Sequence, residues 1–150
     1  MRLFDACSRD NGLLLLLGNP RSGSVDLSKA TKLKDVVFRP GPWRVEWVTA
    51  ALQTITPNHR DLRQITIRIP HHLTHAGVLA NIERSIGEAH ARLWLDLDLF
   101  LAQLWETRSI RTKVICTTEG SMGVNIECLF PEMMKRGIID LVEYDLAKGR

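Results

Sequence analysis

Apolar residues along the chain follow two rhythms. Leu33, Val36 and Phe38 stand three and then two residues apart, and Leu62, Ile65 and Ile67 repeat that spacing. Arg111, Val114 and Cys116 keep it more weakly, as do Ile138, Leu141 and Glu143, where the last slot is polar. Short runs of period-two spacing predict strands. Between them the rhythm changes to the helical one. Trp43, Trp47, Ala51 and Ile55 fall at four-residue steps and predict a helix over 42–56, with Pro42 in its first turn and Pro57 beyond its end. Leu79, Ile82 and Ile86 predict a second helix over 75–90. Leu97, Phe100, Leu101, Leu104 and Trp105 predict a stronger third over 93–105. A short fourth helix is expected over Pro131–Arg136, opened by proline, with Lys135 and Arg136 in its last turn and Gly137 just past it.

The strand cores are themselves spaced. Leu33, Leu62, Arg111 and Ile138 lie 29, 49 and 27 residues apart. Two of these gaps match the period of leucine-rich repeats, whose units are one short strand and one helix, and the middle gap is nearly two periods. One such unit cannot bury its own apolar face, so units must stack and share a core. The expected fold is therefore α/β, with irregular leucine-rich-repeat-like strand–helix units and a short parallel sheet. The alternative is a small plain α/β layered domain, since any alternation of strand and helix gives similar spacing. Residues 28–150 form the expected domain. Residues 1–27 are read as a loose leader, with Leu13–Leu17 as one apolar block and the turn-rich Gly18–Ser24 after it.

Three stretches carry a resemblance: LSKATKLKDVVFRPGPWRVEWVTAALQTITPNHRDLRQITIRIP, WLDLDLFLAQLWETRSIRTKVICTT and MMKRGIIDLVEYD. Over about residues 27–145 they resemble fungal F-box-like proteins, in which irregular leucine-rich repeats follow an F-box. The resemblance implies a repeat scaffold that recognises another protein; the motifs considered below lead to an expectation of no catalysis and no cofactor. An L-P-x-E-type helical opening ahead of the repeats is missing from these residues, so the likeness is to the substrate-recognition side of such a protein.

Composition narrows the class. The chain has 150 residues, 45% of them hydrophobic and 25% charged, which is the composition of a globular domain. Leu13–Leu17 is its longest apolar run, against the roughly 20 residues of a membrane span, so no membrane association is expected. Cys7, Cys116 and Cys128 are odd in number and lack C-x-x-C spacing, which points to a reducing intracellular compartment, cytoplasmic or nuclear. The net charge is +3, but residues 1–75 carry 11 basic and 6 acidic side chains whereas residues 76–150 carry 9 and 11. A basic first half keeps nucleic-acid binding open as one alternative function. The scattered arginines, without interleaved aromatics, argue against it.

Candidate chemistry is sparse. Gly18-Asn-Pro-Arg-Ser-Gly23-Ser24 matches G-x-x-x-x-G but lacks the lysine of a phosphate loop, and Pro20 removes a backbone donor, so a plain turn is expected. His71 and His75 would share a helical face and could hold zinc, which makes a small metal-dependent hydrolase or transferase the other alternative. No carboxylate or cysteine beside them completes a ligand set, so no metal site is assigned. Cys116 falls in an inward strand slot and is expected to be a core thiol. Gly120-Ser121-Met122-Gly123 is not a nucleophile elbow. Asp96 and Asp98, two apart on a helix, suit capping or solvation better than paired acid–base work.

Recognition residues are expected on the outward side of the strands. Side chains alternate along a strand, so residues between the apolar slots should stack into columns across the sheet. One column would hold Asp35, Gln64, Lys113 and Asp140, and a second Val37, Thr66, Ile115 and Val142. The third would hold Arg39, Arg68, Thr117 and Tyr144. Arg39, Arg68 and Tyr144 make this third column the candidate partner-binding edge, because Arg and Tyr are enriched at interfaces. Trp94, between Leu93 and Leu95, breaks the helical stripe and is the candidate exposed anchor; the other tryptophans are expected to pack. The partner is an unidentified protein, and unshielded end units would also favour self-association.

Overall fold

The computed structural model of the chain describes residues 25–40, 45–69, 88–118 and 129–145, with backbone alone at 13–17, 90, 117–118 and 143–145. Five strands are present: β1 (Leu13–Leu17), β2 (Asp35–Arg39), β3 (Gln64–Arg68), β4 (Arg111–Thr118) and β5 (Ile139–Asp145). Three helices lie between them: α1 (Glu46–Leu52), α2 (Glu88–Arg108) and α3 (Pro131–Arg136). All strands are parallel, and their order across the sheet is their order along the chain.

That order has a geometric consequence. Parallel neighbours need crossover connections, these are right-handed, and a sheet that never reverses direction puts every crossover on one face. Burial along the strands agrees except at Thr66 of β3, which lies on the other face yet is 3% exposed. Val36 and Phe38 of β2, Ile65 and Ile67 of β3, and Thr112, Val114 and Cys116 of β4 are buried, while Arg39, Arg68 and Arg111 are exposed. The α/β class expected from the strand–helix alternation is the observed one. The sheet also begins earlier than expected. Leu13–Leu17, assigned above to a loose leader over 1–27, is β1 and pairs in register with Asp35–Arg39. A five-leucine run has no alternation to mark it as a strand, because period two cannot be read from identical residues.

The helices follow their stripes with adjusted ends. In α1 the buried face is Trp47, Val48, Ala51 and Leu52. The helix stops before Thr54, whose hydroxyl donates to the Ala51 carbonyl at 2.6 Å, a local bond that competes with another helical turn. Trp47 meets Phe38 of β2 edge to face, with centroids 5.7 Å apart. The expected helix over 75–90 lies largely outside the described residues, and α2 begins at Glu88.

The α2 stripe corrects one expectation. Ala91, Trp94, Leu97, Leu101 and Leu104 recur at three- and four-residue steps and are buried, so Trp94 is in phase with the core. It is 0% exposed and packs edge to face on Phe130, with centroids 6.0 Å apart. Leu95 and Leu99, at 37% and 57% exposure, are the large apolar residues among those described that face outward. With three large apolar residues in a row, Leu93-Trp94-Leu95, the phase could be anchored on the wrong one.

Helix α3 is pinned to α2 by a buried carboxylate. Asp98 accepts the N–H groups of Glu132 and Met133 at 2.8 and 3.0 Å, capping a helix whose own N-cap, Phe130, offers no side-chain acceptor. Burial pushes the Asp98 carboxyl above the usual aspartate range, and the two N–H bonds oppose that. Arg136 adds ion pairs to Glu132 and to Glu106 of α2. At the other end Gly137 adopts φ 66°, a left-handed C-cap that returns its N–H to the Met133 and Met134 carbonyls.

Both ends of α3 are testable by urea denaturation. Asp98→Ala leaves two buried N–H groups unmatched and should lower the unfolding free energy by about 2 kcal/mol. Gly137→Ala meets no atom within 4 Å, so its loss of about 1 kcal/mol should be purely that of the left-handed backbone.

Candidate functional site

The strand face opposite the helices carries the exposed charge. Its rows follow from the register. Asp35 stands beside Gln64 and Gln64 beside Arg111; Val37, Thr66, Lys113 and Asp140 form the next row. Arg68 pairs with Ile115 and Ile115 with Val142. Arg39 and Arg68 each follow the last registered pair, Phe38 and Ile67, and so stand side by side.

The expected columns are therefore half right. Between β2 and β3, and between β4 and β5, the neighbours are those anticipated: Asp35 with Gln64, Val37 with Thr66, Lys113 with Asp140, Ile115 with Val142, and Thr117 with Tyr144. Between β3 and β4 the register is displaced by two residues, since Thr66 rather than Gln64 meets Lys113. Tyr144 accordingly stands one row beyond Arg39 and Arg68, not in their row. A two-residue displacement leaves every side chain on its expected face, so outward Arg39 and Arg68 stay outward and exposed.

A polar cluster sits near the amino ends of β2 and β3. Gln64 Nε2 donates to Asp35 Oδ2 at 3.1 Å, and the Thr66 hydroxyl donates to Asp35 Oδ1 at 3.4 Å. Asp35 is half-buried, and desolvation holds its carboxyl above the ordinary aspartate value. The bonds from Gln64 and Thr66 and the nearby Lys113 charge oppose that rise. No spacing rule would have singled out this trio, although the shared row of Asp35 and Gln64 was legible.

A second polar residue that sequence reasoning passed over is His59, 1% exposed. Its Nδ1 accepts the Thr56 N–H at 3.0 Å, so Nε2 carries the proton and donates it to the Leu27 carbonyl at 2.8 Å. The Leu27 N–H in turn donates to the Thr54 hydroxyl at 2.8 Å. Together these bonds lock the approach to β2 onto the turn after α1. The only textual signal was the turn sequence Thr56-Pro57-Asn58-His59.

The remaining candidates divide simply. His71 and His75, and the Gly18–Ser24 turn, lie outside the described residues. Cys116 is buried in β4, in the inward slot expected of it. Among the described residues no cluster of three His, Cys, Asp or Glu side chains could hold a metal. No described helix is long and apolar enough to cross a membrane. A cleft of about 200 Å3 lies between the end of α2 and the start of β5, lined by Trp105, Arg111, Thr112, Gly137, Ile138, Ile139 and Asp140. The buried Thr112 hydroxyl in its wall has no partner.

Comparisons with protein-family models, with curated proteins and with solved structures find no match in any of the three.

The Asp35 cluster predicts a pH dependence. A carboxyl raised in the folded state binds its proton there before the unfolded chain does, so its contribution to stability falls as pH rises from the ordinary aspartate value through the folded one. Wild type should therefore gain stability relative to Asp35→Asn as pH drops from 7 to 4. Paired urea titrations at the two pH values measure this. An unchanged difference between the two proteins would remove the burial argument.

Proposed function

We propose that this chain is a protein-recognition scaffold, built of leucine-rich-repeat-like strand–helix units, that binds its partner on the uncovered face of the sheet and performs no chemistry of its own. The observation that supports it is the distribution of burial: among the described residues the helices cover one face, while the other carries exposed Arg39 and Arg68 beside half-buried Ile115 and Val142. Charged and aliphatic groups interspersed on an open surface suit a protein partner. On this reading the segment acts as the substrate-recognition part of an F-box-like protein, inside the cell, in cytoplasm or nucleus. Nucleic acid is the weaker ligand, because Asp35 and Asp140 lie on the same face as the arginines and repel a phosphate backbone.

Site-specific photocrosslinking tests the face. A benzophenone side chain at Val37, on the open face, should capture a discrete protein that excess unlabelled chain competes away. The same group at Leu99, on the outer side of α2, should not. Equal capture from both positions would refute the assignment, and stoichiometric zinc in the purified chain would favour chemistry at His71 and His75 instead.

A further inference from the structure

The row Arg39–Arg68–Ile115–Val142 carries more information than its location. Arg39 and Arg68 are adjacent like charges on neighbouring strands, both exposed, and neither guanidinium has an ion pair or hydrogen bond among the described residues. Like charges directly opposite each other on a sheet are destabilising, so the pair invites an anionic group between the two guanidiniums. The next two positions of the row are aliphatic and half-buried, and a polyanion would leave their remaining surface without an apolar counterpart.

Spacing completes the picture. Neighbouring strands lie about 4.8 Å apart, so from the midpoint of the two arginines Ile115 is about 7 Å away and Val142 about 12 Å. An extended peptide laid across the strands places alternate side chains about 7 and 13 Å from a starting residue on the same side. We propose that this row receives an extended peptide segment in which one carboxylate side chain is followed, at two-residue steps, by two aliphatic side chains. The carboxylate accepts from both guanidiniums, and the aliphatic groups cover Ile115 and Val142. This partner chemistry rests on the open-face reading above.

Fluorescence anisotropy on the full chain at low salt tests it, using two labelled peptides, Glu-Ser-Val-Ser-Val and Lys-Ser-Val-Ser-Val. The glutamate peptide should bind at least tenfold more tightly. Arg39→Glu with Arg68→Glu should reverse the preference. Should that variant not fold, Arg39→Gln with Arg68→Gln should abolish the preference without reversing it. Val142→Ser should weaken the glutamate peptide while leaving the charge preference intact. Equal affinity for the two peptides, or a preference that survives both arginine pairs, would overturn the proposal. So would tighter binding of a single-stranded oligonucleotide at the same row. Capture from Val37 alongside failure of both peptides would leave the open face as the recognition surface and reject only this chemistry.

Discussion

Everything in this molecule depends on parallel strands paired in chain order. A parallel neighbour cannot be reached by a tight turn, so each strand must be followed by a segment that returns across the sheet. Because those returns share one hand, Val36 and Phe38, Ile65 and Ile67, and Val114 and Cys116 face the same layer. Phe38 then finds Trp47, and Trp94 finds Phe130. The core is built by repetition of one rule. Most of the apolar demand is met on that side, and the opposite face mixes charged residues with half-buried Val37, Ile115 and Val142. It is there that arginine and lysine can stand.

Polar groups taken into the covered side are held where one element meets the next. Asp98 reaches from α2 to the first turn of α3, and His59 reaches from the turn after α1 to the approach of β2. Each bonds backbone groups that no regular element would satisfy, which is what makes a buried polar side chain tolerable. Leu27 is bonded through both its N–H and its carbonyl by the side chains of Thr54 and His59 after α1. These side-chain bonds supply local definition where the pattern of apolar residues cannot.

The sequence was informative about parity and poor about phase. Alternation told which residues of β2, β3 and β4 face inward, and burial agrees at Val36, Ile65, Val114 and Cys116. A slip of two residues changes no face, however, so the displacement between β3 and β4 left no trace in hydrophobicity. The inward residues of β4, with Ile110 before them, alternate without a break through Thr112, Val114 and Cys116, and such a run offers no landmark for register. Trp94 was misjudged for a related reason, since neighbouring leucines on both sides let the helical stripe be drawn through any of three residues. Strand β1 was missed because five leucines have no period. The open-face arginines were legible, because exposure of a charged residue beside an inward apolar one needs only parity.

The choice of side chains along the exposed row also has a physical logic. Two lysines at positions 39 and 68 would keep their own hydration and bend apart on flexible stems. Arginine is more weakly hydrated and planar, and two guanidiniums can share one carboxylate through paired N–H groups. Exposed ion pairs contribute little on their own, about 0–1 kcal/mol each. On the proposed reading, selectivity comes from combining a charge contact with apolar cover at a fixed distance. Fixed distance is what the sheet provides. Arg68, Ile115 and Val142 are locked in one row by the ladder of β3, β4 and β5, so a ligand that meets the arginines meets the aliphatic positions at a separation set by backbone hydrogen bonds rather than by side-chain freedom.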